Sequence, residues 1–177
     1  MRLKAYDYSK AGAYFVTVVA QDRLCLFGDV IEDEMHVNRA GAMVSEVWRQ
    51  LPSRFPTIEL DAFVVMPNHV HGIVVLNLPV GVPLVGTLGD EDRATTRVAP
   101  TLGDVVGAYK SITTVRYTRG VKVGLWNAYQ GRLWQRNYYE HVIRNESELN
   151  RAREYIVGNP ALWVRDRENP EGFVDCI

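Results

Sequence analysis

Cysteine is scarce: Cys25 and Cys176 are the only two among 177 residues, and they lie far apart in the chain. Two such thiols supply neither a disulfide framework nor a four-ligand zinc site. A reducing cytoplasm suits that usage. An excess of one charge is also missing, since 20 Lys and Arg stand against 21 Asp and Glu. A nucleic-acid partner would have to be held by a local basic surface, because the overall charge gives no attraction. No apolar run reaches the roughly 18 residues that a membrane span requires, and the opening MRLKAYDYSKAG has no hydrophobic secretory core. The expectation is a soluble cytoplasmic protein with no membrane partner. Repeats and low-complexity tracts are lacking as well. With 47% apolar residues, the length suits one globular domain over 1–177.

What is present is a clear succession of periodic segments. AYFVTVVA (Ala13–Ala20) is rich in β-branched and aromatic residues and reads as a strand. Asn38 can cap a helix whose apolar positions Ala40, Met43, Val44, Val47, Trp48 and Leu51 repeat at helical spacing and which should end before Pro52. From Ile58, the alternation of Leu60, Ala62, Val64 and Met66 makes a second strand; Pro67 and Asn68 turn the chain, and HVHGIVVL makes a third. Residues 77–100 lack sustained periodicity and read as a long, mobile surface excursion. Thr101 with Asp104 starts a second helix, buried along Leu102, Val105, Val106, Tyr109 and Ile112. RLWQRNYYEHVI (Arg132–Ile143) reads as a fourth strand, and Asn145 with Glu148 as the capping box of a last helix that Pro160 limits near Gly158 or Asn159. Strand, helix, strand, strand, helix, strand, helix is the order of an α+β, ferredoxin-like split βαβ antiparallel sheet, with helices on one face and an added C-terminal helix. The core should run from about 13 to 163.

Two elements carry chemistry. In VVMPNHVHGIVV (Val64–Val75), period-two alternation sends His69 and His71 from one face of a strand, with Val70 and Gly72 on the other. On the last helix, EYIVGNP stacks Tyr155 and Asn159, at i and i+4, along one face with Ala152 and Glu148. If that helix face covers the histidine face of the sheet, two imidazoles, an amide oxygen and a phenol meet. Such a set could bind a divalent cation beside an oxygen nucleophile. By default, a His-x-His on a strand is structural and a helical Tyr packs in a core or interface.

MPNHVHGIV, LWQRNYYEHVIRNE and REYIVGNPALW, in this order and spacing, resemble the REP-associated tyrosine transposases, which belong to the single-tyrosine HUH transposases, where U is a bulky hydrophobic residue. The similarity runs from about Tyr14 to Trp163. It implies the ferredoxin-like fold reached above and a catalytic role for that last helix. It implies His69 and His71 as ligands of a divalent metal, Asn159 as the third ligand and Tyr155 as the nucleophile. The implied activity is metal-dependent cleavage and rejoining of single-stranded or hairpin-flanking DNA through a 5′-phosphotyrosine. Two His, one Asn and DNA oxygens should accept Mg²⁺ or Mn²⁺, and the resemblance is compatible with a monomer or a homodimer.

The cations Lys110, Arg116, Arg119, Arg132 and Arg136 are solvated surface residues by default and candidate phosphate contacts on this reading; His141 and Arg144 divide between structural pairing and contact with DNA. Trp134 and Trp163 read as packing residues, with stacking on a base as the alternative for an exposed aromatic. Tyr138 and Tyr139 are competing nucleophiles, although neither has a ligand-type residue at helical spacing. Two other functions use the same fold: a non-catalytic binder of hairpin or single-stranded DNA, and a metal-dependent RNA-processing enzyme. Covalent attachment of protein to a DNA end separates both from a transposase.

Overall fold

The computed structural model describes residues 11–77 and 100–170. The excursion expected over 77–100 therefore lies, apart from Asn77 and Pro100, outside the described residues. Four strands, β1 (Gly12–Val19), β4 (Ile58–Val65), β5 (His69–Leu76) and β6 (Tyr139–Ile143), form one sheet in the order β4-β5-β1-β6 with every pairing antiparallel. That is the split βαβ order. A separate hairpin, β2 (Gly28–Ile31) with β3 (Glu34–Val37), precedes the first helix. The helices are α1 (Arg39–Arg54), α2 (Leu102–Lys122) and α3 (Glu146–Gly158), followed by a 3₁₀ segment, Pro160–Arg165.

Alternation along β1 sorts the core into two layers. Tyr14, Val16 and Val18 pack with Val44, Trp48 and Leu51 of α1 and Val105, Val106 and Tyr109 of α2. Phe15, together with Ile73 and Ile143, faces the other way and meets Ile156, Leu149 and Ala152 of α3. The sheet is covered on both sides, α1 and α2 on one and α3 on the other. Each fully buried aliphatic side chain contributes about 1.5–3 kcal/mol.

Helix ends follow the capping residues. Asn38 Oδ1 accepts from the amides of Ala40 and Gly41, and Thr101 and Asp104 make a reciprocal capping box. Asn145 accepts from the Glu148 amide, but Glu148 reaches back to the amide of Arg144 rather than that of Asn145.

Three expectations need correction. α1 does not stop before Pro52 but runs through it to Arg54. Proline forfeits its bond to the carbonyl four residues back, yet Phe55 N–H still reaches Leu51 O, so the last turn closes around it. The fourth strand begins at Tyr139, not Arg132. The β1–β6 ladder ends at Tyr139 opposite Thr17, and upstream of it Trp134 meets the sheet only through a lone bridge to Ala20. The alternation along β4 is also broken. Leu60 pairs with Val74 and Phe63 with Gly72, so Asp61 and Ala62 together oppose Ile73 in a β-bulge. Ile58, Leu60 and Phe63 pack in the α1 layer, while Ala62 and Val64 pack toward α3.

Candidate metal and nucleophile site

β5 occupies an interior position of the sheet, and its alternation turns His69 and His71 toward α3. Both are almost fully buried, at 0% and 3% exposure. Each imidazole is fixed through Nδ1. Thr17, directly across the ladder on β1, places Oγ1 2.8 Å from His71 Nδ1. Asn68, in the β4–β5 turn, places Oδ1 2.8 Å from His69 Nδ1. The Asn68 amide cannot be reversed, because its nitrogen donates to the carbonyls of Arg23 and Glu168 at 3.0 and 2.6 Å. Its oxygen is therefore an acceptor, His69 carries its proton on Nδ1, and the Nε2 lone pair is free to face the site.

That lone pair meets the other imidazole: the two Nε2 atoms are 2.9 Å apart. Burial holds His69 down at about 3 and pushes His71 well below its ordinary value, with the neighbouring His69 adding to the effect on His71. Both rings are neutral at physiological pH. Two convergent ring nitrogens of this kind need a shared proton or a cation between them.

Tyr155 and Asn159 arrive from α3 on the same face. The Tyr155 ring lies edge-on to His71, with centroids 5.3 Å apart, and to Phe15 at 5.8 Å. It is 44% exposed, so it joins the buried histidines to open space. Burial, then the Asp166 carboxylate, raises the phenol above its ordinary value, while the Asn159 amide acts in the opposite sense. Asn159 caps α3 at 1% exposure, and its Oδ1 finds no hydrogen-bond partner among the described residues. A buried amide oxygen left in that state costs about 1–3 kcal/mol. The donor set, two neutral imidazoles and an orphaned amide oxygen, therefore fits a divalent cation.

One residue here was not anticipated. Asp166, just beyond the 3₁₀ segment, brings Oδ2 to 3.8 Å from His69 Nε2. Ligand-type atoms of His69, His71 and Asp166 all lie within 4.8 Å of one another. In the sequence Asp166 was one charge among several in WVRDREN, with no periodicity to single it out.

A cleft of about 650 Å³ opens from this site, lined by Thr17, His71, Tyr139, His141, Arg151 and Tyr155 among others. Of the anticipated DNA contacts, His141 lines it. Arg144 is exposed at the β6–α3 turn. The others lie elsewhere. Lys110 Nζ donates to the carbonyls of Gln135, Arg136 and Asn137 at 2.8–3.1 Å. Arg116 bonds Gln50 and pairs with Glu46 of α1, on the sheet face away from the histidines. Arg119, on α2, and Arg132 and Arg136, in the segment before β6, are exposed. Arg151 and Arg167 line the cleft without having been foreseen; Arg151 precedes Tyr155 by one helical turn, a spacing that could have identified it. Tyr138 and Tyr139 both line the cleft; Tyr139 is 45% exposed, while Tyr138 is partly buried against the α1–α2 core.

Among the described residues no helix is long and apolar enough to cross a membrane. No family model matches the chain. Two Haemophilus influenzae proteins are similar in sequence. One, uncharacterised, is 34% identical over 94% of this chain and 90% of its own length. The other, which carries the provisional name of REP-associated tyrosine transposase, is 26% identical over 87% of this chain and 73% of its own. Among solved structures, a REP-associated tyrosine transposase bound to a REP hairpin shares the fold, with a TM-score of 0.52 and 22% identity over 90% of this chain and 73% of that one. The chain belongs to one family with the 34% identical Haemophilus influenzae protein, and its likeness in sequence and fold is to the REP-associated tyrosine transposases.

Proposed function

We propose that the chain is a single-tyrosine DNA strand-transfer enzyme. The observation that carries this reading is the phenol of Tyr155 set against His71, whose Nε2 faces that of His69. His69, His71 and Asn159 would hold Mg²⁺ or Mn²⁺. When bound, the ion supplies a Lewis acid that polarises a phosphate oxygen. The chain's own residues do the rest. Thr17 and Asn68 orient the imidazoles, and Phe15 with His71 fixes the Tyr155 ring. The Tyr155 oxygen attacks phosphorus of a strand lying in the cleft. The bond to the 3′-oxygen breaks, that oxygen takes up one proton in balance with the one the phenol gives up, and the 5′-phosphate remains on the tyrosine, ready for rejoining by a 3′-hydroxyl. The cations lining the cleft, Arg151 and Arg167, would contact the backbone with His141 beside them, and Tyr139 would stack on an unpaired base. Hairpins flanked by single strands are the substrates of that shape, and a REP hairpin is what the solved relative holds.

The test is a denaturing gel of labelled hairpin oligonucleotides incubated with protein and Mn²⁺. A slowly migrating protein–DNA band is expected, lost with chelator and lost in Tyr155→Phe, while that variant keeps its DNA affinity. A wild-type protein that binds the hairpin but never forms the band is a binding protein, and the proposal fails. A band persisting in Tyr155→Phe assigns the nucleophile to another residue, with Tyr139 next in line.

A further inference from the structure

Resting on the metal reading above, we propose that Asp166 is a further ligand, its Oδ2 joining His69 Nε2 and His71 Nε2 on the same divalent cation. The carboxylate is aimed rather than loose. Oδ1 accepts the Glu168 amide at 2.7 Å, which leaves Oδ2 facing His69. The turn that carries it is held at several points. Glu168 accepts from Arg23 Nε at 2.9 Å, the Glu168 carbonyl accepts from Asn68 at 2.6 Å, and the Asn169 amide closes on the Asp166 carbonyl at 3.0 Å. Asn68 also sets the His69 tautomer. One side chain thus positions both a histidine and the turn that supplies the carboxylate.

The chemistry at the meeting point calls for a cation. The Asp166 side chain is only 6% exposed, and the base nearest its Oδ2 is an imidazole that donates its proton elsewhere. An anionic oxygen pointed at a nitrogen lone pair gains nothing from that neighbour, and a buried carboxylate needs a counter-charge. A divalent ion answers both demands. Two imidazoles with a carboxylate form a donor set that holds first-row divalent ions while leaving positions open for substrate. The set also adds one negative charge to otherwise neutral ligands. The loaded site would keep a net positive charge for a phosphate, and the ion would be retained before DNA arrives.

The experiment is calorimetric titration of Mn²⁺ into the full chain without DNA, paired with water-proton relaxation of the bound ion. The proteins are wild type, Asp166→Asn, Asp166→Glu and His71→Ala. Asp166→Asn can still accept the Glu168 amide, so the turn is kept while the anion is lost. Near-UV circular dichroism verifies each fold, and Asp166→Ser, whose hydroxyl can take the same amide, replaces any Asn variant that fails it. Expected are a single Mn²⁺ in the wild type, a loss of about tenfold or more in Asp166→Asn with about one additional bound water, and partial recovery in Asp166→Glu. Wild-type affinity in Asp166→Asn, together with weakened binding in His71→Ala, overturns the assignment of Asp166 and leaves the histidine site standing. Unweakened binding in His71→Ala, or no Mn²⁺ bound to the wild type, overturns the metal reading itself and Asp166 with it.

Discussion

Arg153 reaches from α3 to Asp61 on β4 and holds both of its oxygens, Nε to Oδ1 at 3.0 Å and a terminal nitrogen to Oδ2 at 2.7 Å. The partner is available because the β4 bulge turns Asp61 and Ala62 toward the same helix. Arg153 precedes Tyr155 by two residues, so the fork fixes the rotation of α3 over the sheet. The guanidinium holds the Asp61 carboxyl below its usual range. Asp61→Ala should cost about 1 kcal/mol in a urea melt, since the pair is partly exposed. The rate of covalent adduct formation should fall more than hairpin affinity does, because the helix carrying the nucleophile is no longer clamped. A rate unchanged at equal stability would show that packing alone orients α3.

Stability of the metal-free protein should fall with acid between about pH 6.5 and 3. His69 is held neutral, with its folded value at about 3, whereas in the unfolded chain an imidazole takes a proton near 6.5. Across that window the unfolded state binds more protons, so stability rises with pH and is lost as pH drops. At pH 5 the loss from His69 alone should be about 2 kcal/mol. Thermal melts in chelator at pH 7 and pH 5 measure it, and His69→Gln should flatten the difference.

Lys110 should act on stability. Lys110→Met keeps the aliphatic stem but leaves the carbonyls of Gln135, Arg136 and Asn137 without their shared donor. A loss of about 2 kcal/mol is expected in denaturant. The salt dependence of hairpin binding should not change; a slope reduced by about one would instead place the ammonium on a phosphate.

Gly72→Ala tests the other face of the histidine strand. A methyl there would collide with the Trp48 ring, which is itself stacked on Phe63 at 4.7 Å and cannot yield freely. Overpacking of this kind costs about 1–3 kcal/mol, readable as a lowered Tm. The histidines project away from Trp48, so metal affinity of the folded fraction should be retained.

The elements built from local rules were legible in the residues. β5 has the bounds that its pattern dictates, Thr101 and Asp104 cap α2, and Tyr155 of the last helix does lie against His71. What escaped has a tertiary cause in each case. The β2–β3 hairpin turns at Glu32 and Asp33, both with positive φ, at 50° and 65°; that suits a two-residue type I′ turn, but Glu is a poor signal for one. The bulge in β4 keeps an alternating appearance while reversing which residues face α3. Leu133 and Trp134 have strand-like composition, yet the carbonyls that follow them serve Lys110. Asp166 gains its place only because Asn68 and Arg23, distant in sequence, hold the turn around it.

Asn68 couples three parts of the chain through one side chain. Its amide nitrogen spans a carbonyl 45 residues earlier and another 100 residues later, while its oxygen selects the tautomer of His69. Opening of the turn at Glu168 would release that amide to rotate, and the imidazole proton would no longer be confined to Nδ1. Backbone amides of β5 and of the closing turn should then exchange with solvent as one cooperative unit. The nitrogen resonances of a single imidazole would report whether two ends of the fold, 145 residues apart at Arg23 and Glu168, are in contact.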